Sequence, residues 1–184
     1  MKLILGSGSA RRKELLAGLY PEFEVDRPTV EEKVDPLGDP RIEAMNCAML
    51  KGLEIAAKHS RGKLISCDTM VYYKRLIGKP KDRADAFDII SQLQGKTHQV
   101  ITGVYVKNLE TGASLVDYEV SLVTFREMSS REIERYLDQA DYLDKAGAYA
   151  IQEEGRDLVK EIIGDVNNVI GLPTEKLQAM LDAI

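Results

Sequence analysis

Residues 99–107 and 114–125 are two long segments in which apolar and polar side chains alternate, and a turn-rich stretch at 108–112 joins them. Alternation with a period of two indicates β-strands, and the turn between them predicts an antiparallel hairpin. In the first part of the chain, short apolar runs alternate with helical patterns, which is typical of parallel strands joined by helices. The chain is therefore predicted to have an α/β fold with a mixed sheet.

Capping residues predict where several helices begin and end. Asp82 is a favoured N-cap and Gly95 a favoured stop, and Ser129 with Glu132 forms a capping box. The other predicted elements are strands at 3–5, 23–25, 64–67 (ending in Asp68 and Thr69 and continuing at 71–75), 146–151 and 158–163, and helices that begin at Ser9 or Ala10, cover 41–58, and run from Pro173 to about 183.

Composition limits the classes of protein to consider. With 184 residues, 44% of them hydrophobic and 30% charged, the chain is predicted to form one domain, residues 1–184. The net charge of -5 argues against a protein that binds nucleic acid or a membrane surface. We expect neither a transmembrane helix nor a signal peptide. Cys47 and Cys67 fit no disulfide or metal-binding pattern and are expected to be buried thiols in a cytoplasmic protein.

A strand-like run at 3–5 leads into Gly-Ser-Gly-Ser at 6–9, and Arg11 and Arg12 follow in the first turn of a helix. A helix N-terminus offers unpaired N–H groups and a partial positive charge, and small residues let an anion approach the backbone. Two arginines oppose the helix dipole here unless an anion balances them, and guanidinium groups bind phosphate well. The pattern therefore predicts a phosphate site. The alternative is that the arginines are solvated surface charges.

Two known nucleotide-binding motifs fit this loop less well. A P-loop is excluded because no Gly-Lys-Ser/Thr follows at the required distance. Gly6 and Gly8, with Asp26 after the next strand, half resemble a dinucleotide-binding fingerprint, but Arg11 stands at the third glycine position.

Glu31, Glu32 and Asp68 are candidate ligands for the divalent cation that polyphosphate chemistry usually needs. Asp68 follows the segment LISC, so we expect its carboxylate to be fixed at the end of a buried strand, where ligands of α/β sheets bind. The alternative is that Asp68 bonds its own backbone in a turn. Lys79, in a constrained Gly-Lys-Pro sequence, is a further candidate to contact phosphate.

Several of these segments together resemble the Maf family of nucleotide pyrophosphatases. They are SGSARRKELL at 7–16, VEE at 30–32, CDTMV at 67–71, the stretch from GKPKD to ITGV at 78–104, DKAGAYAIQ at 144–152 and NNVIGLP at 167–173. The resemblance implies an elongated mixed sheet with flanking helices and a cleft between two lobes, like the inosine triphosphatase fold. It also implies metal-dependent hydrolysis of nucleoside triphosphates to the monophosphate and pyrophosphate, as house-cleaning of nucleotide pools.

The resemblance assigns roles to individual residues. Asp68 matches the proton acceptor and, with Glu32, the acidic centre that holds Mg²⁺ or Mn²⁺. The positions that match triphosphate-binding residues are Ser7, Arg11, Arg12, Lys51 and Lys79, and those tied to base choice are Arg12, Thr69 and Gln152.

The AGAYAIQ segment resembles the branch that acts on dTTP and UTP. A glutamine amide can pair with the N3–H and O4 of thymine or uracil if it is held in one orientation; the alternative is that Gln152 is an ordinary surface glutamine. Two other functions stay open: a pyrophosphatase for 7-methyl-GTP or another modified nucleotide, and a non-catalytic regulator of septum formation. The expected partner is a nucleoside triphosphate, with no nucleic acid or membrane, and a homodimer if the chain assembles.

Overall fold

The structure is a computed structural model that describes residues 2–152 and 154–184. Within these residues, seven strands form one sheet in the order β2-β1-β3-β5-β6-β7, and β4 pairs with β3 outside this path. The strands are β1 (Leu3–Gly6), β2 (Glu24–Asp26), β3 (Lys63–Tyr73), β4 (Arg75–Ile77), β5 (Thr97–Asn108), β6 (Ser114–Phe125) and β7 (Val159–Ile163). The helices are α1 (Ala10–Leu19), α2 (Pro40–Ala56), α3 (Arg83–Leu93), α4 (Ser130–Gln139), α5 (Val166–Ile170) and α6 (Thr174–Asp182), with 3₁₀ turns at Ala146–Ala148 and Glu154–Leu158.

The sheet is mixed, as the sequence predicts. Strand β1 pairs in parallel with β2 and β3, whereas β3, β5, β6 and β7 are successive antiparallel partners. The predicted hairpin is β5–β6, in which Thr97 lies opposite Thr124 and Lys107 opposite Ser114. Parallel strands therefore occupy one side of the sheet and the antiparallel hairpin the other.

Helix α2 packs closely on one face of the sheet because two glycines leave room for it. A Cβ at Gly103 of β5 would lie 2.2 Å from the carbonyl oxygen of Ala44, and a Cβ at Gly52 of α2 would lie 2.3 Å from the ring of Tyr105. Gly103 is the register partner of Asp68 on β3. Residues opposite each other share a face of the sheet, so the Asp68 side chain points towards α2.

The opposite face carries two separate apolar cores, which define two lobes. In the first lobe, Leu16 of α1 and Leu177 of α6 pack on Ile65 and Cys67 of β3. In the second, residues of α3 and α4 pack on Val71, on the last part of β3. A cleft lies between the lobes, because its walls include residues 6–12 from the first and residues 144–152 near the second.

Local capping signals determine the helix starts as predicted. Ser9 and Asp82 each accept a hydrogen bond from a backbone N–H of the first turn of α1 and α3. Ser129 and Glu132 form the complete capping box of α4. These side chains pair N–H groups that a helix leaves without partners, so they act on neighbours only three residues away.

Two predictions about strands are wrong. Residues 146–151 are not a strand: the backbone turns at Gly147 and Ala148, whose φ angles are 72° and 61°, and positive φ is incompatible with an extended strand. The strand predicted at 64–67, ending in Asp68 and Thr69 and continuing at 71–75, is instead a single strand that runs without a break to Tyr73, after which Lys74, with φ 61°, turns the chain into β4. Asp68 therefore lies in the middle of β3.

Both cysteines are buried and unpaired, as expected. Across the described parts of the chain, none of the helices combines the length and the apolar character needed to cross a membrane.

Candidate active site

The cleft between the lobes has a volume of about 1130 Å³. It brings together the site residues that the family resemblance implies, whereas Glu31, the other candidate metal ligand, is not among its lining residues. Its walls include Ser7, Arg11, Arg12, Glu32, Lys51, Asp68, Thr69, Lys79 and Gln152. These residues come from six separate parts of the chain, so their convergence is a result of the tertiary structure.

The glycine-serine loop forms one wall. Strand β1 ends at Gly6, and α1 begins four residues later at Ala10. Ser7 is only 4% exposed, and its hydroxyl accepts a hydrogen bond from the backbone N–H of Ser9. Gly8 is exposed at the tip of the loop. The N-terminus of α1 therefore opens into the cleft, where its partial positive charge favours an anion.

Glu32, Lys51 and Asp68 form the charged end of the cleft. The Lys51 Nζ lies 2.6 Å from Asp68 Oδ1 and 2.5 Å from Glu32 Oε1. Burial and the charge of Arg12 lower the pKa of Lys51, but the charge of Asp68 and the hydrogen bonds to Asp68 and Glu32 outweigh them, so the pKa is raised overall. The ammonium group therefore stays protonated and balances the two carboxylates.

Cys47 of α2 lies beside the two carboxylates, since its sulfur and their oxygens are all within 4.8 Å of one another. Burial, together with the charges of Asp68 and Glu32, raises the pKa of the Cys47 thiol to about 12. A protonated thiol is a poor metal ligand, whereas carboxylate oxygens suit Mg²⁺ and Mn²⁺. The donor set thus fits a hard divalent cation on Glu32 and Asp68, without Cys47.

Arg12 and Thr69 line the threonine end of the cleft, and Thr102 is buried directly behind Thr69. The Arg12 guanidinium donates through Nε to the Gly171 carbonyl oxygen (2.8 Å) and through Nη2 to Thr69 Oγ1 (2.9 Å). Its Nη1 lies 3.4 Å from Ser7 Oγ. Three of the five N–H donors of this side chain therefore contact the protein, and two remain for a ligand. Arg12 connects the glycine-serine loop to the residues around Gly171.

The two ends lie on opposite faces of the sheet. Successive side chains of a strand point to opposite faces, so Asp68 faces α2 while Thr69 faces α1. Both nevertheless line the cleft, because the neighbouring β1 ends at Gly6, whereas the β1–β3 pairing reaches only Leu5 and Ile65. The cleft passes around this end of β1, so an elongated ligand can reach both faces.

Arg11 and Lys79 contribute further positive charge. Partial burial raises the pKa of Asp144, but its hydrogen bond to Lys145 and the charges of Arg11 and Lys79 lower it overall. Arg11 is half-buried and Lys79 is exposed. Both cations thus act on the same wall of the cleft. Gln152 is exposed in a turn, not at the end of a strand.

Sequence reasoning missed some residues of the cleft. Lys145 is 4% exposed, and its Nζ lies 3.1 Å from Asp144 Oδ1. Tyr149 is also buried, and its hydroxyl oxygen lies 2.8 Å from His98 Nε2. The DKAGAYAIQ segment contains Lys145 and Tyr149, so the signal was present. Because a strand was predicted at 146–151, the turn at Gly147 and Ala148 was not predicted, and this turn lies between the two residues in the wall of the cleft.

Comparison with known proteins places this geometry in a family. The model of the family described as "Maf-like protein" matches residues 2–184. The chain is 42% identical over 180 residues to the dTTP/UTP pyrophosphatase of Lacticaseibacillus casei (strain BL23), covering 97% of each chain. It is also 42% identical over 182 residues to the dTTP/UTP pyrophosphatase of Alkaliphilus oremlandii (strain OhILAs), covering 98% of this chain and 94% of the relative.

Two solved structures share the fold at low sequence identity. The Ham1 protein of Staphylococcus aureus superposes with a TM-score of 0.52 and 16% identity, covering 100% of this chain and 99% of the other. The HAM1 protein of Coxiella burnetii gives a TM-score of 0.54 and 13% identity, with 100% of both chains covered. The expected mixed α/β architecture is confirmed.

Proposed function

The chain belongs to the family of Maf-like proteins, and from this membership we propose that it hydrolyses nucleoside triphosphates, dTTP and UTP above others, to the monophosphate and pyrophosphate. Relatives at 42% identity carry the name dTTP/UTP pyrophosphatase. The observation that supports the proposal most directly is the charged end: one lysine between two carboxylates, beside a helix N-terminus that opens into the same cleft.

The triphosphate would lie along the glycine-serine loop. Ser7 and the N–H groups at the start of α1 donate hydrogen bonds to phosphate oxygens, and Arg11, Lys51 and Lys79 add positive charge. Such preorganised donors stabilise the charge that develops in phosphoryl transfer, which is the main source of rate enhancement in this reaction class.

Glu32 and Asp68 would hold a divalent cation, Mg²⁺ or Mn²⁺, which when bound neutralises phosphate charge and acidifies a bound water. Lys51 already contacts both carboxylates. It therefore holds them close together, and it is positioned to contact the phosphates as well.

Asp68 acts as the proton acceptor in this proposal. A water molecule attacks the α-phosphorus, the bond from the α-phosphorus to the bridging oxygen breaks, and pyrophosphate leaves with that oxygen. The Asp68 carboxylate accepts the proton that the water loses. The central position of Asp68 on β3, packed under α2, holds this carboxylate in one place, and a general base in a fixed place contributes about 10²–10⁴-fold to the rate.

Base choice belongs to the threonine end and to Gln152. Thymine and uracil present an N3–H donor beside an O4 acceptor, whereas cytosine presents an N3 acceptor beside an amino group. Thr69 and Gln152 offer hydroxyl and amide groups to this edge, and mismatched pairs are rejected because they leave polar groups unpaired.

A nucleotide panel tests the proposal. The purified protein is incubated with dTTP, UTP, CTP, the purine triphosphates and 7-methyl-GTP, with Mg²⁺, with Mn²⁺ and with a chelator, and pyrophosphate release is measured. We expect the fastest release from dTTP and UTP and none with the chelator. Faster release from 7-methyl-GTP than from dTTP and UTP would indicate a pyrophosphatase for modified nucleotides. No release from any nucleotide would favour a non-catalytic role.

A further inference from the structure

A chain of hydroxyl groups runs from the cleft into the core behind Thr69. Thr69 Oγ1 lies 3.0 Å from Thr102 Oγ1, its register partner on β5. Thr102 in turn donates its hydroxyl proton to the backbone carbonyl oxygen of Asn168 at 3.0 Å. Thr102 and Asn168 are both 0% exposed, so no solvent competes for these bonds.

At the buried end of this series of hydroxyl groups, hydrogen bonds hold Asn168 in place. Asn168 belongs to α5, and its Nδ2 donates to the Val100 carbonyl oxygen (3.0 Å) and to Ser121 Oγ (2.9 Å). Ser121 Oγ donates to the Asp165 carbonyl oxygen at 2.7 Å. The Asn168 carbonyl lies in the last turn of α5, where helix carbonyls lack a helical partner, so it depends on the Thr102 proton.

The positions of the protons follow from what each group carries. A hydroxyl has one proton and two lone pairs, and a carbonyl has no proton. Thr102 gives its proton to Asn168 and must therefore accept the proton of Thr69. Thr69 also accepts an N–H from Arg12 at 2.9 Å. One lone pair is all that the Thr69 hydroxyl has left for a ligand in the cleft.

We propose that Thr102 is a positioning residue for base choice: it fixes Thr69 as an acceptor, so that the cleft takes pyrimidines with an N3–H and rejects those whose N3 is itself an acceptor. This inference rests on the proposed function and adds the physical cause of its substrate preference. Thymine and uracil donate N3–H to the lone pair of Thr69. The N3 of cytosine carries a lone pair and no proton, so it would place its lone pair against that of Thr69. Thr69 has no proton left to donate to it.

The competing explanation is that Thr102 is only a buried packing residue. The two explanations differ in what they predict. Loss of a packing role lowers stability and slows all substrates alike, whereas loss of the proton acceptor changes the ratio between substrates, because Thr69 can then turn its proton towards the cleft.

The experiment compares Thr102→Val, which keeps the shape and removes the hydroxyl, with Thr102→Ser, which keeps the hydroxyl. The measured quantity is the ratio of kcat/KM for UTP to kcat/KM for CTP, with thermal denaturation as a check of folding. We expect Thr102→Val to lower this ratio on the order of tenfold, as for one hydrogen bond, and Thr102→Ser to keep the wild-type ratio. An unchanged or increased ratio in a folded Thr102→Val protein overturns the inference.

Two substrate analogues test the same point on the wild-type protein, so the result does not depend on folding of a variant. The triphosphate of 3-methyluridine lacks the N3–H, and that of ribosyl-pyrimidin-2-one has an acceptor N3 with no group at carbon 4. We expect both to be poor substrates and the second to improve in Thr102→Val. Hydrolysis of either by the wild-type protein as fast as UTP overturns the inference, whereas no pyrophosphate from UTP itself means that the proposed function fails and the inference falls with it.

Discussion

At the charged end of the cleft, Lys51 bridges Asp68 and Glu32 by ion pairs at 2.6 and 2.5 Å, whereas at the threonine end the hydrogen bonds of Arg12 and of the Thr69–Thr102 pair lead to backbone carbonyls. Arg12 donates to the Gly171 carbonyl oxygen, and in the Thr69–Thr102 pair Thr102 donates to the Asn168 carbonyl oxygen. Ion pairs have no fixed direction, so the charged groups can exchange partners with phosphate or a cation. A carbonyl oxygen can only accept, and this fixes the direction of the hydroxyl hydrogen bonds that lead to it, so the threonine end suits discrimination.

The largest effect is expected at the charged end, from Asp68→Asn. This change keeps the size of the side chain and removes its charge and its basicity, so kcat for dTTP should fall at least about a hundredfold. Binding of the triphosphate should persist, as measured by equilibrium titration. The matched control is Asp88→Asn, at an exposed carboxylate of α3, and turnover near the wild-type rate in Asp68→Asn would remove Asp68 from the reaction.

The free energy of unfolding should decrease in acid because of His98, which is buried behind the cleft against Tyr149. Burial lowers the pKa of His98 to about 4, below the value of about 6.5 in an unfolded chain. The unfolded state therefore binds the proton first, and stability should fall as the pH drops from about 6.5 to 4, by roughly 3 kcal/mol. Urea unfolding across this range should show a smaller loss for His98→Gln, and an equal loss in both proteins would contradict the assignment to His98.

Arg12→Ala tests whether the threonine end also contributes to stabilisation of the transition state. The change removes a charged hydrogen-bonding group and leaves the buried Gly171 carbonyl without its Arg12 donor, so it should cost about 1.5–3 kcal/mol of transition-state stabilisation, measured as kcat/KM for dTTP. Lys13→Ala, at an exposed cation on the same helix, is the control. Equal values of kcat/KM in the two variants would support the alternative that Arg12 is a solvated surface charge with no role in the reaction.

The smallest effect is expected from Gln152→Ala. Gln152 is exposed, so the loss of one hydrogen bond should narrow the preference for dTTP over CTP by only about twofold to tenfold, with little change for poor substrates. The exposed Gln92 of α3, changed to alanine, serves as the control. If Gln152→Ala slows dTTP and CTP by the same factor, base choice lies in the threonine end alone.

The sequence predicted most elements because their signals are local. Ser9, Asp82 and Ser129 cap helices within three residues of themselves, and the residue pattern that predicts β5 and β6 lies within each strand. The prediction failed at residues 146–151, where apolar composition favours a strand but Gly147 and Ala148 have positive φ and pack into the core of the second lobe. It failed again at Asp68, because the end of β1, not that of β3, forms the edge of the cleft.

The sequence by itself determined the class of fold, the family and most of the candidate polar residues of the cleft. Tertiary structure alone decided how those residues act on one another. Lys51 reaches Asp68 because glycines at 52 and 103 let α2 lie against the sheet, and Thr69 is an acceptor because Thr102 and Asn168 lie behind it. Caps and periodicity depend on neighbours a few residues away, whereas proton direction and ion pairing depend on groups that only packing brings within 3 Å.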